Sequence, residues 1–285
     1  MIALPVVESL SEAWVLGLEV AAAEKGGRLV HMVTTVSQPG IEIAFVPTML
    51  DNALATADRQ SVDTVAGTIF PAALYTDPGF DWFPRIDRDK QALLDDAAAS
   101  MYQRYSEMLP LLLTADGNRL GTYFGRMVSW PGKQAGGVNQ IAARVTALRR
   151  ENRERRGTNN TLDIDIAADS VEPLRGVQMY APTDKRIRGF PCLTHIDLTL
   201  YNGRLHCTAV YRHQYLVEKA YGNMLGLSML LEFLCQQSGY ERGELVVHAT
   251  LADSERGKFP AVAALATEAR SALNLAQQQN GERTS

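Results

Sequence analysis

Three residues able to do chemistry stand at definite stations in the last third of the chain. Cys192 follows a proline, Arg212 comes 20 residues later, and Asn223 comes 11 residues after that. A thiol is only a few per cent ionised near neutral pH, and a neighbouring cation raises the reactive thiolate fraction. A guanidinium supplies that charge permanently and also grips phosphate or carboxylate through its planar fork. A side-chain amide offers one donor edge and one acceptor edge, so if buried it must find partners or cost about 1–3 kcal/mol. Each also has a plain reading: a cysteine packed beside a strand, a strand-end ion pair, an amide serving as a structural link.

The elements that would position these residues are legible. Residues 195–201 alternate polar His195, Asp197 and Thr199 with apolar Ile196, Leu198 and Leu200, the period of a half-buried strand. Asn202-Gly203 tolerates the positive φ angles of a two-residue hairpin turn. The return strand, 204–212, puts Leu205, Cys207, Ala209 and Tyr211 on one face and His206, Thr208, Val210 and Arg212 on the other. Residues 221–238 are apolar almost all round and stop at Gly239, which predicts a helix buried inside a domain.

Pro191-Cys192, Arg212, Asn223, the long apolar helix and then Gly243-Glu-Leu-Val-Val resemble the catalytic half of thymidylate synthases and the related pyrimidine nucleotide hydroxymethylases. The likeness is specific over about 190–247. It extends more weakly to Leu120-Gly121-Thr-Tyr-Phe-Gly125-Arg126, Trp130 and Gly137-Val-Asn-Gln-Ile141. The resemblance implies that Cys192 is the nucleophile that adds to C6 of the base, that Arg212 holds the nucleotide phosphate and the thiol, and that Asn223 reads a uracil edge. It implies 5,10-methylenetetrahydrofolate as donor of the one-carbon unit and a homodimer formed through the sheet. Relatives acting on cytosine carry aspartate where Asn223 stands.

The chain also departs from the family pattern. Tyr211, His213 and Tyr215 replace the usual glutamine, serine and aspartate around the arginine, which leaves His213 and Tyr215 as candidate substrate contacts. Asp253 and Glu255 occupy the places of the histidine and tyrosine that grip the sugar hydroxyl. The helix expected to carry a catalytic glutamate corresponds to 61–70, where Asp63 is the carboxylate. The chain ends in a polar run, 277–285, where the family has a short apolar tail. Trp82, in the aromatic loop 75–88, and Trp130 are candidates for contact with a pterin; the plain reading of that loop is an anchor pinned to the core.

With 285 residues and 46% hydrophobic content the chain can bury a full core, read as one domain over 1–285 with the last eight or so residues frayed. A net charge of −4 argues against binding a nucleic-acid polymer, which needs a basic face. Three cysteines without zinc spacing suggest neither a disulfide scaffold nor a metal site. No apolar run reaches membrane-spanning length and no basic leader opens the chain, so a cytosolic protein is expected.

In chain order the pattern predicts a helix over 10–23, strands over 28–36 and 41–46, helices over 51–57, 61–69, 89–113 and 140–154, a strand over 161–167, and a helix within 259–276. The basic end of the 140–154 helix, with Arg149, Arg150 and Arg153, is either a solvated helix end or a phosphate grip offered to a partner. The fold class is α/β (α+β): a mixed, largely antiparallel sheet packed on buried helices. Two functions follow: C5 methyl or hydroxymethyl transfer to a pyrimidine nucleotide, or a nucleotide-binding relative without turnover that senses or scaffolds.

Overall fold

The computed structural model describes residues 1–79, 87–115, 118, 121–130, 137–154, 162–166, 169–170, 179–180 and 191–284. The chain forms two compact units. The first comprises Met1–Gly67, Val210–Met229 and Gly243–Ser285, and the second Thr68–Ala209 and Leu230–Arg242. The strands are β1 (Ile2–Ala3), β2 (Arg28–Val36), β3 (Ile164–Asp165), β4 (Asp169–Ser170), β5 (Met179–Tyr180), β6 (Leu193–Tyr201), β7 (Arg204–Tyr211), β8 (Gln214–Tyr215) and β9 (Glu241–Asp253). Among the described residues one mixed sheet of seven strands runs in the order β1-β2-β9-β7-β6-β3, with β8 paired to β9, and β4 and β5 form a separate pair.

In the first unit, helix α1 (Leu10–Ala23) begins at a reciprocal cap: the Glu12 N–H donates to Ser9 Oγ, and the Glu12 carboxylate accepts the Ser9 N–H. Its buried face, with Leu10, Trp14 and Leu18, packs on β2 and on the last helix, Val262–Thr284. That last helix continues through Thr284. Residues 41–44 form no strand, against the expectation for 41–46; helix α2 (Phe45–Thr56) starts there instead. Pro47 in its first turn lacks an N–H that would have no partner anyway, and the apolar Ile41 and Phe45 are exposed. Helix α3 (Val62–Gly67) follows.

The second unit contains α4 (Arg88–Leu112), α5 (Tyr123–Val128) and α6 (Gln140–Glu154). On α4 the buried stripe is Leu94, Ala98, Met101, Tyr105 and Leu109, whereas the apolar Leu93 and Met108 face solvent. The observed set keeps strict three- and four-residue steps, and the adjacent apolar positions fall off that face. The hairpin turn is as predicted, with φ of 51° at Asn202 and 77° at Gly203. Burial along β7 alternates, with Leu205, Cys207, Ala209 and Tyr211 inside. Within the described part of 161–167, residues 162–166, the strand is Ile164–Asp165, paired with Ile196 and His195, and Leu162, Ile164 and Ile166 keep the expected inward alternation.

A π-helical turn, Leu216–Ala220, leads into α7 (Tyr221–Ser238). The first half of α7 belongs to the first unit, where Tyr221, Gly222, Asn223 and Met224 are all buried. Gly222 admits α3 at van der Waals range: a Cβ there would lie 2.6 Å from the Val62 carbonyl oxygen and 2.7 Å from Val65 Cβ. Gly222→Ala is therefore expected to cost about 1–3 kcal/mol by overpacking against backbone that cannot swing aside, measurable as a lowered midpoint in urea.

Candidate functional site

Cys192 stands one residue before β6 and is partly exposed. Its two companions are not comparable: Cys207 and Cys235 are buried, and desolvation pushes the Cys207 thiol up to about 12 and Cys235 higher still. Neither can supply a thiolate near neutral pH. In the same unit the Tyr123 hydroxyl, from the first turn of α5, accepts the N–H of Leu193 at 3.4 Å. Sequence reading missed Tyr123, because its partner lies 70 residues away and no local pattern announces the contact.

Arg212 follows β7 directly and is half-buried. Its backbone is pinned to β9 by the Thr250 hydroxyl, which reaches the Arg212 carbonyl at 2.6 Å and that of Tyr211 at 3.2 Å. Asn223 is 4% exposed, and its amide makes no hydrogen bond with a described residue. An amide so placed carries a need for one donor and one acceptor. Asp63 sits exposed on α3. Near it Glu42 accepts the Tyr221 O–H at 3.0 Å, and Tyr221 meets Ser11 Oγ at 2.8 Å. Burial first, then the charge of Asp63, raises the Glu42 carboxyl above its ordinary value. Glu42 is a second residue that sequence reading passed over.

His213, Tyr215, Asp253 and Glu255 are brought together in the first unit, but largely on one another. His213 stacks on Tyr215 with ring centroids 4.4 Å apart, its Nε2 lies 3.7 Å from Asp253, and Lys258 sits 4.7 Å over the Tyr215 ring. Asp253 is bound to Arg28 at 2.8 Å and accepts the Glu255 N–H at 2.8 Å. Glu255, in a left-handed conformation with φ of 59°, turns its carboxylate inward, where it accepts the N–H groups of Val217 and Glu218 at 2.9 and 2.8 Å. Both carboxylates are thus buried on internal partners, and Glu255 caps the turn that leads into α7.

Burial pushes the Glu255 carboxyl up to about 7, with the neighbouring Glu218 adding to the shift. A carboxyl whose folded pKa exceeds its unfolded value of about 4.5 adds stability that is complete below that value and is lost as pH rises through about 7. At roughly 1.4 kcal/mol per unit the loss is about 3 kcal/mol. His213 works in the opposite sense, since burial lowers its pKa and stability rises as it deprotonates. The expected result is that Glu255→Gln raises the melting temperature at pH 8 relative to wild type but not at pH 5. A difference that does not change with pH would refute the assignment.

Trp82 lies outside the described residues. Trp130 is half-buried, and its N–H and C=O bond the Val138 backbone at 2.9 and 3.1 Å. Gly137 permits this bridge, since a Cβ there would lie 2.2 Å from the Trp130 carbonyl oxygen. Of the basic group ending α6, Arg149 is committed internally: its guanidinium bonds Gln237 at 2.6 and 2.7 Å and Asp95 at 2.5 Å. Arg150, 57% exposed, lies 3.6 Å from the Glu151 carboxylate. Among the described residues Asp163, Asp165 and His195 lie with ligand atoms within 4.8 Å of one another, and His195 Nδ1 is 3.4 Å from Asp165. His195 and Asp165 thus meet across β6 and β3, with Asp163 beside them.

Two archaeal proteins match this chain. Each bears the description "Putative thymidylate synthase". The chain resembles thymidylate synthases at a distance. The protein of Methanothermobacter marburgensis is 26% identical over 133 residues, and that of Methanothermobacter thermautotrophicus 26% identical over 135 residues. The match covers 47% of this chain and 47% of each relative, so the chain spans about half the length of the curated relatives it matches. No family model matches the chain. Thymidylate-synthase-like likeness and a mixed α/β sheet thus stand together, and among the described residues no helix is long and apolar enough to cross a membrane.

Proposed function

We propose that this chain transfers a one-carbon unit from 5,10-methylenetetrahydrofolate to C5 of a pyrimidine nucleotide, with Cys192 as nucleophile. The observation that carries the reading is the joint spacing of Pro191-Cys192, Arg212 and Asn223. It is supported by Cys192 being the one partly exposed cysteine and by the buried amide of Asn223, which bonds no described residue. C5 of a uracil ring is a poor nucleophile. Addition of the Cys192 thiolate to C6 forms a C–S bond and moves the ring electrons to C5 and O4, so that C5 becomes an enolate carbon. Arg212 favours the thiolate and holds the nucleotide phosphate, and Asn223 pairs its amide with O4 and N3–H. After C5 has bonded to the new carbon it gives up its hydrogen as a proton, and breaking the C–S bond returns the free enzyme.

The folate supplies carbon at the formaldehyde level; a methyl product needs a hydride in addition, a hydroxymethyl product needs water. The partly exposed indole of Trp130 is the kind of surface on which a pterin stacks. Asp253 and Glu255, turned to internal partners, leave the sugar to be gripped from elsewhere, which favours a nucleotide other than dUMP as substrate. We also infer a homodimer. Val33, Thr35, Val246 and His248 on β2 and β9 are half-exposed on the face opposite the buried Thr34, Val36, Val247 and Ala249, and a second copy would cover them. Sedimentation equilibrium at micromolar concentration is expected to give twice the 31.3 kDa chain mass.

The enzymatic reading is tested by tritium release from C5-labelled dUMP, UMP, dCMP and CMP with methylenetetrahydrofolate. Release from one of them establishes C5 chemistry and names the base and sugar. Nucleotide binding without release from any would replace it with the sensor or scaffold reading.

A further inference from the structure

Between Arg212 and the turn into α7 the chain carries a polar side chain that the proposed reaction does not use. Gln214 pairs with Ala252 through β8 and points into the first unit, where it is 3% exposed. Its amide nitrogen has no hydrogen-bond partner among the described residues. Beside it lies a cavity bounded by Trp14, Met32, Thr34, Leu216 and Met224, with about 10 Å³ of room for a water centre. Thr34, 4% exposed on β2, also lines this cavity, and its hydroxyl bonds no described residue. The Leu216 carbonyl on the same wall is already engaged by Trp14 Nε1 at 2.7 Å and keeps a second lone pair.

An amide buried to this depth is rarely left unpaired, and a space of this size with two or more polar walls is what a single internal water requires. The side chains of Gln214 and Thr34 make no direct bond. We propose that one water molecule occupies the cavity, linking the Gln214 amide to the Thr34 hydroxyl, and that this link makes Gln214 a positioning residue for Arg212. The two residues hold the segment from opposite sides: Thr250 ties the carbonyls of Tyr211 and Arg212 to β9, while the water ties Gln214 inward to β2. The role for Arg212 rests on the proposed function; the water does not.

A double-mutant cycle tests the water without any activity. Thr34→Val and Gln214→Met are each expected to lower the melting temperature by about 2–4 °C, and the double variant to fall no further than the worse single one. Two groups that do not touch couple only through something between them, so additive losses would overturn the proposal. A rise in melting temperature for Gln214→Met would overturn it too, as relief of an orphan donor. A high-resolution crystal structure is expected to place one ordered water about 2.7–3.2 Å from both side chains, and a dry cavity would end the idea. For positioning, Gln214→Met is expected to raise KM for the nucleotide severalfold with kcat within twofold. An unchanged KM in a variant that shows the coupling would remove the role for Arg212. Absence of C5 chemistry in wild type would fail the proposed function, while coupling in the double-mutant cycle would still decide for or against the water.

Discussion

Cys192→Ser is expected to abolish tritium release from the C5-labelled substrate, lowering kcat by roughly four to six orders of magnitude, the scale on which a covalent nucleophile is missed. A hydroxyl is far less ionised than a thiol at neutral pH, and so a far weaker nucleophile. The melting temperature should hardly change, because Cys192 is partly exposed and not a core side chain. The controls point the other way. Cys207→Ser and Cys235→Ser bury a hydroxyl where an apolar thiol had packed, so they should lose stability and keep the rate per folded molecule. Tritium release that survives in Cys192→Ser and disappears in Cys207→Ser would reject the assignment of the nucleophile. Mass spectrometry of the denatured enzyme with a mechanism-based C5-fluorinated nucleotide should place the adduct on Cys192.

The second large effect concerns the base. Asn223→Asp is expected to move the preference from a uracil to a cytosine nucleotide, changing the ratio of kcat/KM values by about 10⁴ or more. The reason is asymmetric. A buried site that supplies a hydrogen bond rejects a ligand lacking the complement far more strongly than an apolar site rejects an extra atom. Asn223 is 4% exposed, so little water is at hand to repair a mismatch at its amide. An aspartate accepts from the cytosine amino group when ionised, and faces the uracil O4 with repulsion between two acceptors. Competition between labelled dUMP and dCMP, or between UMP and CMP, reads the ratio directly. An unchanged preference in a variant that still turns over would mean that Asn223 is a structural link and not the reader of the base.

These two expectations rest on spacing, which alone pointed to Cys192, Arg212 and Asn223. The element types around them were legible because their patterns are local: alternation along β6 and β7, positive φ at Asn202-Gly203, an apolar run ending at Gly239 in α7. The strand expected at 41–46 gave way to a helix that can start with Pro47 in its first turn, since Ile41 and Phe45 are too exposed for a strand to be worth pairing. On α4 the apolar Leu93 and Met108 lie one position off the buried stripe, because periodicity fixes a face only to within a residue.

What the amino-acid order by itself determined was the set of local preferences and the spacing of the three side chains on which the proposed function rests. Only the tertiary structure decided what the remaining polar groups are for, because burial and partnership are made by residues far apart in the chain. It turned Arg149 onto Gln237, 88 positions away, and so made one member of a basic run structural. It folded Glu255 back on Val217 and Glu218, where desolvation outweighs two hydrogen bonds and holds the carboxyl near neutrality. It brought Tyr123 to the backbone beside Cys192, and Glu42 to Tyr221, across separations of 70 and 179 residues. A side chain's chemistry is written in its identity, but its solvent, its charge neighbours and its pKa are properties of the space around it, and that space exists only once the chain has closed.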